Sequence, residues 1–186
     1  MNYFSSNNVS EKYHAVWIAP ERTGSRTIAQ ILNYCGFHYN QKPISFCGKW
    51  DYTHRFNNPE LFDDWIHICN ARNPYARTYS IFKMIHNNRK SSFQQFILNK
   101  DFNQQKKMFL EPIFHKKPDY IIRLENAKED IMKIPFLKNH ISETQLDYML
   151  THGKSPSSWE EHYNEEMKEI VYGVTKHQFE TWGYEK

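Results

Sequence analysis

Apolar and polar positions along the chain alternate between two kinds of segment. "HAVWIA" (14–19) is a short apolar run closed by Pro20, and it reads as a buried strand. From Ser25 onward the apolar residues Ile28, Ile31, Leu32 and Cys35 recur at helical spacing, and Gly36 stands where that helix should stop. "WIHIC" (65–69) is a second strand, followed by Asn73 as a helix cap and Pro74 in the first turn. Thr78, Ile81, Phe82 and Ile85 then share one helical face. Residues 91–116 read as one or two polar helices with Phe93, Phe96, Ile97, Phe109 and Leu110 turned inward. "DYIIRLE" (119–125) is a third strand, and Asn126 opens another helix. Met167, Ile170, Val171 and Val174 mark a last helix before "FETWGY". Residues 37–58 are rich in loop formers, and "PELFDDW" fits a short helix.

Strands alternating with helices predict an α/β fold built on a parallel sheet with helices on its faces. Ligands of such sheets sit at the carboxyl ends of the strands. The two arginine-bearing loops, 22–27 and 72–77, follow strands at that edge and are expected to converge. With 186 residues the length prior gives one domain, 1–186, and neither a repeat nor a low-complexity linker divides it.

Charge narrows the function. Twenty-four Lys and Arg against 21 Asp and Glu leave a formal +3, too little for a general nucleic-acid binder but compatible with one concentrated basic site for a small anion. Three cysteines without C-x-x-C spacing predict reduced, mostly buried thiols in a cytoplasmic protein. "MNYFSSNNVSEKYH" has no apolar run, so neither a signal peptide nor a membrane anchor is expected. The ten histidines are scattered without ligand-pair spacing, and no metal site is expected.

The segment "IAPERTGSRTIAQIL" (18–32) carries the chemistry: strand, loop, helix. The triphosphate-binding pattern G-x-x-x-x-G-K-[ST], aligned on Gly24, requires glycine at Ala19 and lysine at Ser25, and both are missing. The loop still has the parts of an anion cradle. Backbone amides around Thr23 to Thr27 would face an anion at a helix N-terminus. Arg22 and Arg26 offer charge-assisted bonds, and Thr23, Ser25 and Thr27 offer hydroxyls. The second loop, "CNARNPYARTYSIF", sets Arg72 just past a strand, with Arg77 and Ser80 inside the first two helical turns. Residues 73, 77 and 80 share a face, so Arg72 and Ser80 can grip one phosphate from two sides.

These segments resemble the sulfotransferases that use PAPS (3′-phosphoadenosine 5′-phosphosulfate), and most closely the carbohydrate-acting branch. "PERTGSRTIAQIL" is similar to the family's phosphosulfate loop, and "RNPYARTYS" to its 3′-phosphate signature, an arginine followed eight positions later by a serine. "DYIIRLENAKED" is similar to the stretch R-Y-E-D-L. "SWEEHYNEEMKEIVYGVTKHQFETWGY" is similar to the terminal helix and F-G-Y ending. The matches run from 14 to 184 in the family's order. The resemblance implies that Arg22, Thr23, Gly24, Ser25, Arg26 and Thr27 hold the 5′-phosphosulfate and that Arg72 and Ser80 hold the 3′-phosphate. It implies further that Lys154 and Ser155 close over the donor. "GKWDYTHRFNNPELFDDWIHICNARN" is similar to the segment where T-H precedes the second strand, which puts His54 in the catalytic-base position; His38, Lys49 and Glu111 are lesser candidates. Arg22 replaces the usual lysine, Arg26 a small hydroxyl residue, and "LEN" the triplet "YED". Arg26 could serve the sulfate or the acceptor.

The implied fold is a P-loop-like three-layer sandwich, a central mostly parallel sheet flanked by helices. The implied activity is transfer of a sulfuryl group from PAPS to a hydroxyl of a glycan or small molecule, leaving PAP, with His54 as base, Arg22 stabilising charge and no metal. Two other readings stay open. One is a Mg²⁺-dependent P-loop kinase or NTPase, with Glu125 at the end of the third strand. The other is a non-catalytic nucleotide or polyanion binder using Arg22, Arg26, Arg72 and Arg77.

Overall fold

The computed structural model describes residues 9–10, 12–20, 22–37, 63–85, 92–98, 117–151 and 158–186. The fold is α/β, and the chain falls into two compact units: Met1–Ala71 with Ile113–Lys154, and Arg72–Pro112 with Ser155–Lys186. Among the described residues no helix is long and apolar enough to cross a membrane.

The first unit holds a small open sheet in the order β1 (Val9–Ser10), β2 (Ala15–Ile18), β3 (Ile66–Ala71), β4 (Tyr120–Arg123). β2, β3 and β4 are parallel, with Trp17 level with Ile68 and Ile68 level with Tyr120; β1 adds an antiparallel edge. Both faces of the parallel part are buried, which is why β2 is apolar without alternation. On one face Ala15, Trp17, Ala19, Ile68 and Ile122 join Ile28, Ile31 and Leu32 of α1 (Ser25–Tyr34). Ile131 of α4 (Ala127–Met132), Leu137 of α5 (Pro135–Lys138) and Leu146 of α6 (Glu143–Thr151) complete that core. The opposite face presents Val16, Ile18, Cys69 and Ala71, all buried.

The third strand ends earlier than its apolar pattern suggests. Leu124–Asn126 form a 3₁₀ turn, and at the last strand residue the carboxylate of Asp130 accepts the Arg123 amide (3.0 Å). The same carboxylate accepts two guanidinium bonds from Arg123 (2.9 and 2.8 Å) and one from Lys133 (3.0 Å). Asp130 is 3 % exposed. Burial alone would raise its pKa, but the hydrogen bonds from Arg123 and Lys133 outweigh it and hold the carboxyl below its usual range. Cys35 and Cys69 are free and buried, and burial pushes the Cys35 thiol up to about 11, so it stays protonated and inert. Cys47 lies outside the described residues.

The second unit is helical and aromatic. α2 (Pro74–Ile85), α3 (Phe93–Leu98) and α7 (Glu165–Trp182) enclose Tyr75, Tyr79, Phe93, Phe96, Met167, Val171 and Phe179. Asn73 caps α2 as expected, its Oδ1 accepting the amides of Tyr75 (2.9 Å) and Ala76 (3.3 Å). Asn164 caps α7 through the Met167 amide, and Gly183 ends it at φ 71°. Burial pushes the Tyr163 phenol well above its ordinary range, so it remains a donor, bonding the Tyr75 carbonyl at 2.9 Å.

Asp130 generates a stability prediction. A depressed carboxylate contributes stability that is complete above the unfolded value of about 3.9 and disappears as pH falls through the lower folded value. Asp130→Asn removes the charge from these hydrogen bonds, while Arg123 and Lys133 stay partly open to water, and is expected to cost about 2 kcal/mol at neutral pH. Urea unfolding from pH 7 down to pH 3 should show the gap between wild type and variant closing only in acid.

Candidate functional site: the loop ahead of the first helix

The segment 20–27 leaves β2 and starts α1 with two residues in the left-handed region, Arg22 (φ 64°) and Gly24 (φ 80°). Gly24 is required twice over. A side chain there would be strained at that φ, and its Cβ would lie 2.5 Å from Cδ1 of Leu124. Leu124 directly follows β4, whereas the loop departs from β2, and β3 lies between them. Gly24 therefore packs against the residue that leaves β4, the strand beside β3.

The internal hydrogen bonds decide which loop groups are left to bind something. Thr23 is fully buried, its hydroxyl donates to the Pro20 carbonyl (2.6 Å) and its amide to the same oxygen (3.4 Å). Thr23 thus braces the loop from within. The amides of Thr27 (3.1 Å) and Ile28 (3.2 Å) go to the Gly24 carbonyl. Among the described residues, no acceptor meets the amides of Gly24, Ser25 and Arg26, and α1 has neither a side-chain cap nor an acidic residue in its first turn. Three adjacent donors at the positive end of a helix dipole form an anion-binding arrangement. Ser25 and Thr27 are half-buried beside them, and Arg22 and Arg26 are exposed. Arg26 makes no ion pair among the described residues.

The second loop belongs to the other unit. Arg72 is half-buried and Ser80 is buried in α2. Arg77, expected as an anion-facing cation, is instead 1 % exposed. Its Nη1 donates to Oε1 of Gln178 (3.1 Å), and the guanidinium lies 5.7 Å from the Trp182 ring. Both partners are on α7, so Arg77 joins α2 to α7 rather than forming a basic surface, which removes one of the four arginines from the polyanion-binding alternative. Glu125, the acid named for the kinase alternative, is exposed in the 3₁₀ turn.

His54, Lys154 and Ser155 lie outside the described residues, as do His38, Lys49 and Glu111. Sequence reasoning missed one residue at this edge. Asn70, the lone carboxamide in "IHICNA", is completely buried on β3 and accepts the Trp17 indole N–H through Oδ1 (2.8 Å). A polar residue inside an otherwise apolar strand was the available signal. No protein-family model, no curated protein and no solved structure matches the chain.

Two expectations follow. Gly24→Ala should cost about 1–2 kcal/mol from the left-handed backbone alone, read as a lower midpoint in thermal or denaturant melts. Arg77→Ala should destabilise by about 2–3 kcal/mol, because it removes a buried, charge-assisted bond to Gln178, whereas Arg26→Ala should stay within about 0.5 kcal/mol of wild type. Parallel urea titrations of both arginine variants distinguish the buried from the exposed role.

Proposed function

We propose that the chain is a PAPS-dependent O-sulfotransferase acting on a hydroxyl of a carbohydrate or other small acceptor. The observation that carries this reading is the set of three amides, Gly24 to Arg26, without an acceptor among the described residues, at a helix start on the carboxyl edge of a parallel sheet. It is supported by the ordered resemblance of segments 18–32, 65–80, 119–130 and 158–184 to that family. On the same reading the parallel strands belong to a P-loop-like three-layer sandwich.

When bound, PAPS supplies an activated sulfuryl group and a phosphate leaving group. The chain's own contribution is electrostatic. The amides of Gly24, Ser25 and Arg26 donate to the phosphosulfate end, and Arg22 adds positive charge where negative charge develops, a placement of the oxyanion-hole kind. Arg22 in place of lysine retains the charge and gains a planar two-pronged donor. Arg72 and Ser80 take the 3′-phosphate. His54 removes the acceptor's proton, a task suited to an imidazole whose ordinary value is about 6.5. Lys154 and Ser155 close over the donor.

The test is calorimetry with PAP, followed by transfer of labelled sulfate to a glycan panel. PAP is expected to bind in the micromolar range without added metal, and Arg72→Ala to weaken it by about tenfold or more. His54→Ala should leave PAP binding intact and reduce turnover by about 10²–10⁴-fold. Binding of ATP–Mg²⁺ with phosphate release, and none of PAP, would replace this reading with a kinase or NTPase.

A further inference from the structure

Asn70 has an amide end that the fold does not use. Its Nδ2 is buried and has no hydrogen-bond partner, in a residue that is 0 % exposed. A buried donor without an acceptor costs about 1–3 kcal/mol, so its retention asks for a reason. The orientation of the carboxamide follows from its partner. The Trp17 indole N–H can only donate, so the end at 2.8 Å must be the oxygen, and Nδ2 is the end left over.

The placement of Asn70 supplies the reason. Ile18 is level with Cys69 and Ile122 with Asn70, so Asn70 sits on the central parallel strand, one residue short of its carboxyl end. Its bond to Trp17 puts its side chain on the sheet face that packs against α1. Gly24, at the start of α1, packs against Leu124, which directly follows β4, the strand paired with β3. The amides of Gly24, Ser25 and Arg26, without an acceptor among the described residues, open the same helix.

We infer that Asn70 is a fourth donor of this anion site, its Nδ2 contacting an oxyanion oxygen from the sheet side while the three backbone amides contact it from the helix side. The ligand class is an oxyanion, a sulfate or phosphate group, because several donors at the positive end of a helix are best met by a negatively charged group with several acceptor oxygens. Trp17 takes the carboxamide oxygen, so the NH₂ end is the one left to meet a ligand, and it disfavours a group that can only donate. This assignment deepens the proposed function and rests on it only for the identity of the ligand carrying the oxyanion.

The experiment titrates the ¹⁵N-labelled full-length protein with sodium sulfate and, separately, with PAP. The Asn70 side-chain NH₂ pair, assigned by its loss in Asn70→Leu, is followed by NMR. Both ligands are expected to shift that pair. Asn70→Asp keeps an oxygen for Trp17 but sets a carboxylate against the anion, and should weaken both ligands by at least about tenfold. A Trp17→Phe variant measures the structural share, because it frees the carboxamide oxygen while keeping Nδ2. It should lower the melting temperature yet leave sulfate affinity within about threefold of wild type. If sulfate moves the Asn70 pair and PAP does not bind, the sulfotransferase reading falls and the Asn70 assignment stands. If PAP binds while the Asn70 pair stays still, or a folded Asn70→Asp binds as wild type does, the assignment is overturned, and an enclosed water is the partner of Nδ2 instead. Failure of both ligands to bind overturns both.

Discussion

An α-helix cannot satisfy its own first amides, and at the start of α1 no acceptor among the described residues compensates for this. Gly24 in the left-handed region turns the backbone so that its carbonyl accepts from Thr27 and Ile28, which begins the helix. The donors at this helix start have neither a side-chain cap nor an acidic residue in the first turn to receive them. A helix in this position ordinarily gains from Ser, Thr, Asp or Asn as cap, worth about 1 kcal/mol. Glycine forgoes that gain. What glycine provides is the positive φ and the space for Leu124, so the chain gives up a cap to bring loop and sheet edge together.

The buried polar groups follow one chemical logic in both units. Trp17 N–H meets a carboxamide oxygen, the Arg77 guanidinium meets a carboxamide oxygen, and Asp130 receives four donors. Only the last is a charge pair, and it sits where Arg123 and Lys133 remain partly open to water. This limits the desolvation cost that a fully buried pair would carry. Neutral amide oxygens serve inside the sheet and inside the α2–α7 pair, where an unmatched carboxylate would be costly.

Most of the scaffold is legible in the sequence because its signals are local. The apolar run 14–19 corresponds to β2, the spacing of Ile28, Ile31 and Leu32 to α1, and the Asn73–Pro74 pair to the start of α2. Gly36 stands at φ 91° just after the helix it was expected to end. The short strand β1 and the helix Glu143–Thr151 were not legible: two residues carry no periodicity, and "ETQLDYMLT" buries only Leu146. Just before the 3₁₀ turn at Leu124, the Arg123 amide bonds a carboxylate seven residues away, beyond what an apolar pattern records. Arg77 misled for a similar reason. Helical spacing aligns it with Asn73 and Ser80, but only the packing of α7 decides that its guanidinium turns to Gln178. Of the first loop, the sequence indicates an anion cradle; which amides are already taken, and that Thr23 is a brace, are settled by hydrogen bonds across three residues.

The division between exposed arginines and backbone amides also bears on how such a site would recognise its ligand. Arg22 and Arg26 lie in water, where their field is screened over about 8 Å at physiological ionic strength. They can draw an anion toward the loop but distinguish poorly among anions. The amides of Gly24 to Arg26 act at contact distance, with directions fixed by the helix start, and a shielded donor gains strength as the local dielectric falls. Attraction and selection are therefore assigned to different groups. That division accounts for a chain whose net charge is only +3 yet whose first helix opens on an arrangement suited to a strongly anionic group. The discriminating part of the site carries no formal charge at all.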